Sequence, residues 1–108
     1  MTTDEQIQTL QALRYRIAAI GQTLAERELT GRVLRLTLET EERNRGATKA
    51  DAEKAARVHA QYLEHERRSI QLGFDREVDL AEAEAARLRL EFQLVERRRT
   101  ELTNLAVP

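Results

Sequence analysis

Apolar residues recur along the first half of the chain at spacings of three and four, which places them on one face of a helix. The stripe contains Leu10, Leu13, Ile17, Ile20, Leu24, Gly31, Leu34 and Leu38, and Arg27 interrupts it. The pattern predicts a first helix over residues 3–45. A capping box formed by Thr3 and Gln6, with Asp4 and Glu5 in the first turn, favours this start.

A break follows at Arg43-Asn44-Arg45-Gly46-Ala47-Thr48. Basic residues are typical of a last helical turn, glycine of the position just past it, and threonine of the start of a new helix. Asp51, three residues after Thr48, fits the first turn of that new helix. The sequence therefore predicts a turn at residues 46–48.

The second half repeats the helical pattern and predicts a helix over residues 49–105. From Phe74 onward the spacing alternates between four and three, interrupted only by Arg99. The stripe is Phe74, Val78, Ala81, Ala85, Leu88, Phe92, Val95 and Leu102. Gly73 weakens this helix by about 1 kcal/mol relative to alanine. We expect a kink there; the alternative is a true break that yields a three-helix bundle.

These patterns predict an all-α protein, a single helical domain over residues 1–108 folded as a long antiparallel hairpin of the coiled-coil type. Strand-like alternation is absent, and charged residues make up 34% of the sequence, as in long helices. Folding the chain about residue 47 places Ile20 opposite Phe74 and Leu13 opposite Ala81. The two apolar stripes are therefore expected to face each other.

Such a hairpin leaves apolar surface uncovered. Residues 92–108 extend past the start of the first helix, and a short second stripe lies in its later half. The simplest remedy is a homodimer that completes a four-helix core. The predicted interface residues, for a second copy or another protein, are Leu29, Val33, Leu36, Phe92, Val95 and Leu102.

Charge does not favour a nucleic-acid binder, because 18 basic and 19 acidic residues give a net charge of −1. Two arginine clusters, Arg43 with Arg45 and Arg97-Arg98-Arg99, are the candidate turn or anion-contact residues. Glutamates are interleaved with both clusters, which favours ion-paired helix surface. A small dimeric nucleic-acid-associated regulator remains the alternative function.

No catalytic, cofactor-binding or metal-binding residue is predicted. His59 and His65 are six residues apart and point in different directions on a helix. Ser69 is the only serine and lies outside any nucleophile motif. Cysteine is absent and apolar runs are short, so we expect a cytoplasmic protein without a membrane segment. The predicted function is a non-enzymatic protein–protein interaction module, a scaffold or adaptor acting through helical surfaces.

Overall fold

The computed structural model of the chain describes residues 2–106; Met1, Val107 and Pro108, which the predicted domain also includes, lie outside them. Three helices follow one another: α1 (Thr3–Asn44), α2 (Lys49–Val58) and α3 (Ala60–Ala106). Helix accounts for 94% of the described residues, and no strand occurs among them. The predicted all-α helical hairpin is confirmed.

Helix α1 begins with a capping box one residue earlier than the sequence indicated. The Glu5 N–H donates to Thr2 Oγ1 at 3.1 Å, and the Thr2 N–H donates to Glu5 Oε2 at 3.4 Å. The first backbone bond of the helix runs from the Gln6 N–H to the Thr2 carbonyl. Thr3 is therefore already helical, and the prediction that Thr3 and Gln6 form the box was wrong.

The turn after α1 is a Schellman motif. Gly46 has φ of +98°, a conformation that glycine adopts without steric cost. The Ala47 N–H reaches back to the Glu42 carbonyl at 3.1 Å, and the Gly46 N–H to the Arg43 carbonyl at 3.0 Å. Thr48 then caps α2 by accepting from the Asp51 N–H at 3.2 Å. The local signals around Gly46 thus act as expected.

The second helical segment is interrupted at His59 rather than at Gly73. His59 has an extended conformation with ψ of 137° and separates α2 from α3. Its Nδ1 accepts from the Gln61 N–H at 3.1 Å, and its carbonyl accepts from the Leu63 N–H at 3.0 Å. The imidazole therefore caps α3 in the way that an aspartate or serine usually does. Gly73 lies inside α3, so the predicted continuous helix over 49–105 and the alternative break at Gly73 were both wrong.

The chain divides into two compact units. The turn unit is Ala19–Arg76, and the terminal unit combines Met1–Ala18 with Glu77–Pro108. In the turn unit the buried apolar residues are Leu38, Ala52 and Ala56. In the terminal unit Leu10 and Leu13 of α1 pack with Ala86 of α3, and Ala83 and Leu90 border them. In the terminal unit, large side chains of α1 therefore pack against alanines of α3.

Within each unit, the apolar stripe of α1 faces inward as predicted. All its members, and Arg27 between them, are buried or half-buried. The stripe of α3 does not face α1. Phe74 and Val78 are exposed, so the predicted opposition of Ile20 to Phe74 and of Leu13 to Ala81 was wrong.

Polar contacts of Arg27 favour this orientation of α3. Arg27 lies within the inward stripe of α1 and needs hydrogen-bond acceptors, because an unpaired buried charge is costly. The polar and small face of α3 supplies them, whereas the apolar stripe would not. The most apolar face of α3 is therefore left outside the hairpin.

Candidate interaction surface

The face of α3 that packs against α1 in the terminal unit combines one buried acidic residue with two alanines and a leucine. We call Asp79, Ala83, Ala86 and Leu90 the covered stripe. Asp79 is only 3% exposed, and its Oδ1 accepts from Arg16 Nη2 at 2.7 Å. Its second oxygen, Oδ2, is buried and has no hydrogen-bond partner among the described residues. The ion pair thus joins α1 to α3 in this unit.

In the turn unit, Arg27 makes the equivalent polar contact. Its Nε donates to Ser69 Oγ and its Nη2 to the His65 carbonyl, both at 2.9 Å. The Ser69 hydroxyl itself donates to the same carbonyl at 3.0 Å. The guanidinium is therefore held against the backbone of α3, a contact that sequence reasoning missed because it treated Arg27 as an interruption.

The His65 imidazole lies directly against Gly31. A Cβ added at Gly31 would stand 2.9 Å from His65 Cε1, closer than real Cβ contacts allow. Both ring nitrogens are buried without a hydrogen-bond partner in the described chain, and Glu66 Oε1 is 3.8 Å from Nδ1. The glycine thus makes room for the ring, a packing role that the sequence analysis did not assign.

The opposite face of α3 in the terminal unit is apolar and uncovered. We call Val78, Ala81, Ala85, Leu88, Phe92, Val95 and Leu102 the open stripe. Its large members are between 53% and 68% exposed. Residues two apart on a helix are separated by about 200° around its axis, so Ala81 points away from Ala83 of the covered stripe. The open stripe has the four-three spacing of a coiled-coil seam.

The C-terminal part of α3 lies beyond any cover from α1. Every residue from 94 to 106 is exposed, a length of roughly 20 Å at the helical rise. Val95 and Leu102 line a shallow apolar surface here with Leu94, and Arg98 and Arg99 border it. The structure therefore brings four of the sequence-predicted site residues onto one surface.

Charged side chains flank the open stripe. Glu82, Arg89, Glu91, Glu96 and Arg98 are all exposed. Arg87 binds both Glu84 and Glu91. Its hydrogen bond lowers the pKa of Glu84, and the same bond raises the pKa of Arg87. Glu84 and Arg87 therefore stay charged around neutral pH.

The other sequence-predicted apolar residues, Leu29, Val33 and Leu36, lie on α1 in the turn unit and are 55–63% exposed. Val33 and Leu36 line a shallow groove with Thr37, Thr40 and Glu41. This second apolar surface belongs to a different unit from Phe92, Val95 and Leu102, so the predicted set of six residues forms two surfaces.

The arginine clusters are solvent-facing. Arg43, Arg45, Arg97, Arg98 and Arg99 are exposed. Arg45 Nη1 pairs with Glu42 Oε1 at 2.9 Å, and Arg99 Nη1 lies 4.0 Å from Glu96 Oε1. Both contacts join residues three apart on the chain, the arrangement of an ion-paired helix surface.

A further charged cluster lies near the start of α3. Glu64 accepts from Arg67 and from Arg68 at distances of 2.9–3.0 Å. The hydrogen bond from Arg67, followed by that from Arg68, lowers the pKa of Glu64 from 4.5 to about 2. The cluster keeps this carboxylate ionised and gives local support to α3.

Among residues 2–106 there is no group of three or more histidine, aspartate or glutamate side chains placed to hold a metal ion. Over the same residues, no helix has an apolar stretch sufficient to cross a lipid bilayer. Comparison with known proteins finds no matching family model, no matching curated protein and no matching solved structure.

Proposed function

We propose that the protein is a non-enzymatic interaction module, a scaffold or adaptor that binds other helices through the exposed apolar faces of its hairpin. The open stripe is the observation that supports this proposal. Contiguous exposed apolar surface bordered by charges is typical of protein interaction sites. A helix whose two opposite faces are both patterned for packing is suited to hold one neighbour within the chain and one outside it.

The first partner that we propose is a second copy of the chain, which would complete a core of four helices. The two-helix units are small, and helical hairpins rarely bury enough surface to be stable alone. A second protein partner would bind Leu29, Val33 and Leu36 on α1. The absence of cysteine fits a reducing compartment, so we place the protein in the cytoplasm.

The experiment is a measurement of mass in solution by light scattering. The wild type is expected to be a dimer, and the double variant Val95→Asp/Leu102→Asp a monomer, because two carboxylates cannot be buried in an apolar seam. Tyr15→Asp is the matched control, since Tyr15 is 80% exposed on α1 and outside the open stripe. A wild type that stays monomeric up to high concentration, or a double variant that keeps the dimer mass, would contradict the proposal.

Exposure of Arg97, Arg98 and Arg99 supports a second candidate, a dimeric nucleic-acid-associated regulator. Arginines on two copies would add their charge, although Glu96 and Glu101 lie among them. The test is retention of duplex DNA or of RNA at low salt, which should weaken steeply as salt rises if phosphate contacts are responsible. Absence of retention at low salt removes this candidate and leaves the interaction module unaffected.

A further inference from the structure

We infer that the second copy binds antiparallel along the open stripe, with Phe92 of each copy packed against the partner's Val95. This inference rests on the proposed self-association and adds its orientation and register. The observation behind it is the order of charges on the two sides of the open stripe. In helix pairs the residues that flank the apolar seam decide partner and orientation.

In this arrangement the flanking charges are complementary. Arg89 lies opposite the partner's Glu96, and Glu91 lies opposite the partner's Arg98. Two-fold symmetry repeats each pair, so four ion pairs border the seam. Arg87 already occupies Oε1 of Glu91, but a carboxylate accepts at both oxygens, so Glu91 keeps capacity for the partner's Arg98.

The same register covers the exposed end of α3. Ala85 lies opposite the partner's Leu102, a small residue against a large one. Leu88 lies opposite the partner's Arg99, whose alkyl stem can cover the leucine while its charged end stays in water. The uncovered residues 94–106 of one copy are thereby placed on residues 81–93 of the other, which also have a free apolar face.

Neighbouring antiparallel registers place like charges opposite each other. Shifting the partner by one heptad in one direction sets Arg89 against the partner's Arg89 and Glu82 against the partner's Glu96. Shifting it by one heptad in the other direction sets Glu96 against the partner's Glu96 and Arg98 against the partner's Arg98. Like charges directly opposite each other are destabilising, so both shifted registers are disfavoured.

A parallel pair fails for the same reason. In parallel coiled coils a residue on one flank meets the residue five positions later on the other flank of the partner. Glu77 would then meet the partner's Glu82, and Glu91 the partner's Glu96. Only Glu84 with the partner's Arg89 would attract. The charge pattern therefore favours the antiparallel arrangement.

Cysteine cross-linking tests the orientation directly, because the sequence contains no cysteine. Ala85→Cys and Leu102→Cys proteins with different tags are co-expressed and treated with a short bis-maleimide cross-linker. In the inferred dimer, Cys at 85 of one copy lies next to Cys at 102 of the other. Two copies of the same variant place their cysteines about 25 Å apart along the seam. The expected product is therefore the mixed pair alone.

Thr100→Cys is the matched control, because Thr100 lies on the same exposed end of α3 but outside the open stripe. Co-expressed with Ala85→Cys, it should give little cross-linked product. Circular dichroism of each variant confirms that its helix content is unchanged.

Three results would overturn the inference. Strong linkage of Ala85→Cys to itself would show a parallel pair. A dimer mass in light scattering without mixed linkage would show a different interface, which removes the inference but leaves the proposed self-association. A monomer mass at all concentrations removes both.

Discussion

The two faces of α3 in the terminal unit differ in chemistry and in burial. The covered stripe contains a buried aspartate, two alanines and a single leucine, yet it is the face that packs against α1. The open stripe contains phenylalanine, leucine and valine, yet these side chains are exposed. Burial in this hairpin therefore follows complementarity with α1 rather than apolarity alone.

Two physical effects explain the difference. Arginines of α1 that approach α3 need acceptors, and only the polar face of α3 supplies them. Large side chains of α1 also pack well against small ones, which Ala83 and Ala86 provide. The open stripe stays exposed in this hairpin. We therefore expect changes on the covered face to alter stability and changes on the open face to alter the proposed association.

The largest expected effect comes from breaking the ion pair of the covered face. Arg16→Ala leaves the Asp79 carboxylate buried without its partner and should lower the free energy of unfolding by about 2–3 kcal/mol. Asp79→Ala removes the buried charge and leaves only an exposed arginine, so its effect should be smaller. Urea unfolding at fixed protein concentration measures both. An equal or larger loss for Asp79→Ala would contradict the assignment.

A matched pair of glycine substitutions tests close packing on the inner face. Gly31→Ala should destabilise the protein by about 1–3 kcal/mol, because the new methyl group meets the His65 ring. Gly73→Ala should stabilise it by up to about 1 kcal/mol, because its Cβ meets nothing within 4 Å and alanine favours helix. Thermal unfolding of both variants gives the comparison. A stabilising Gly31→Ala would show that the imidazole moves aside freely.

Charge exchange on the open face should change association with little effect on helix content. Arg89→Glu or Glu96→Arg alone turns two attractive pairs into repulsive ones and should weaken dimerisation by about tenfold, or about 1.4 kcal/mol. The double variant Arg89→Glu/Glu96→Arg restores complementarity and should recover most of the affinity. Sedimentation equilibrium measures the dissociation constants. Additive weakening in the double variant would show that these residues do not pair.

The smallest effect concerns Glu64, which lies on neither stripe. The pKa of Glu64 in the folded protein is lowered to about 2 from an ordinary value of 4.5. Its contribution to the free energy of unfolding is therefore complete above a pH equal to that ordinary value and is lost as the pH falls towards 2. Carboxyl NMR of Glu64 should show a titration midpoint near 2. The midpoint should return towards 4.5 in Arg67→Ala/Arg68→Ala. A normal midpoint in the wild type would remove the arginine cluster as its cause.

Some helix ends could be predicted from the sequence and others could not. The Schellman turn at Gly46 and the cap at Thr48 were predictable because glycine and threonine act there through their own backbone neighbours. The break at His59 was not, since histidine is an uncommon cap and the helical pattern continues through it. Asp79, Ser69 and His65 were missed because nothing in their own neighbourhood shows that an arginine of α1 will reach them.

The sequence by itself determined the helical class, the extent of α1, the turn at Gly46 and the inward stripe of α1, because these depend on residues a few positions apart. The tertiary structure decided which face of α3 packs within the chain. That choice depends on pairing Arg16 with Asp79 and Arg27 with Ser69, contacts between residues 63 and 42 positions apart. Apolar periodicity identifies a packing face, but only the polar partners across the helix pair determine whether that face is covered inside the chain.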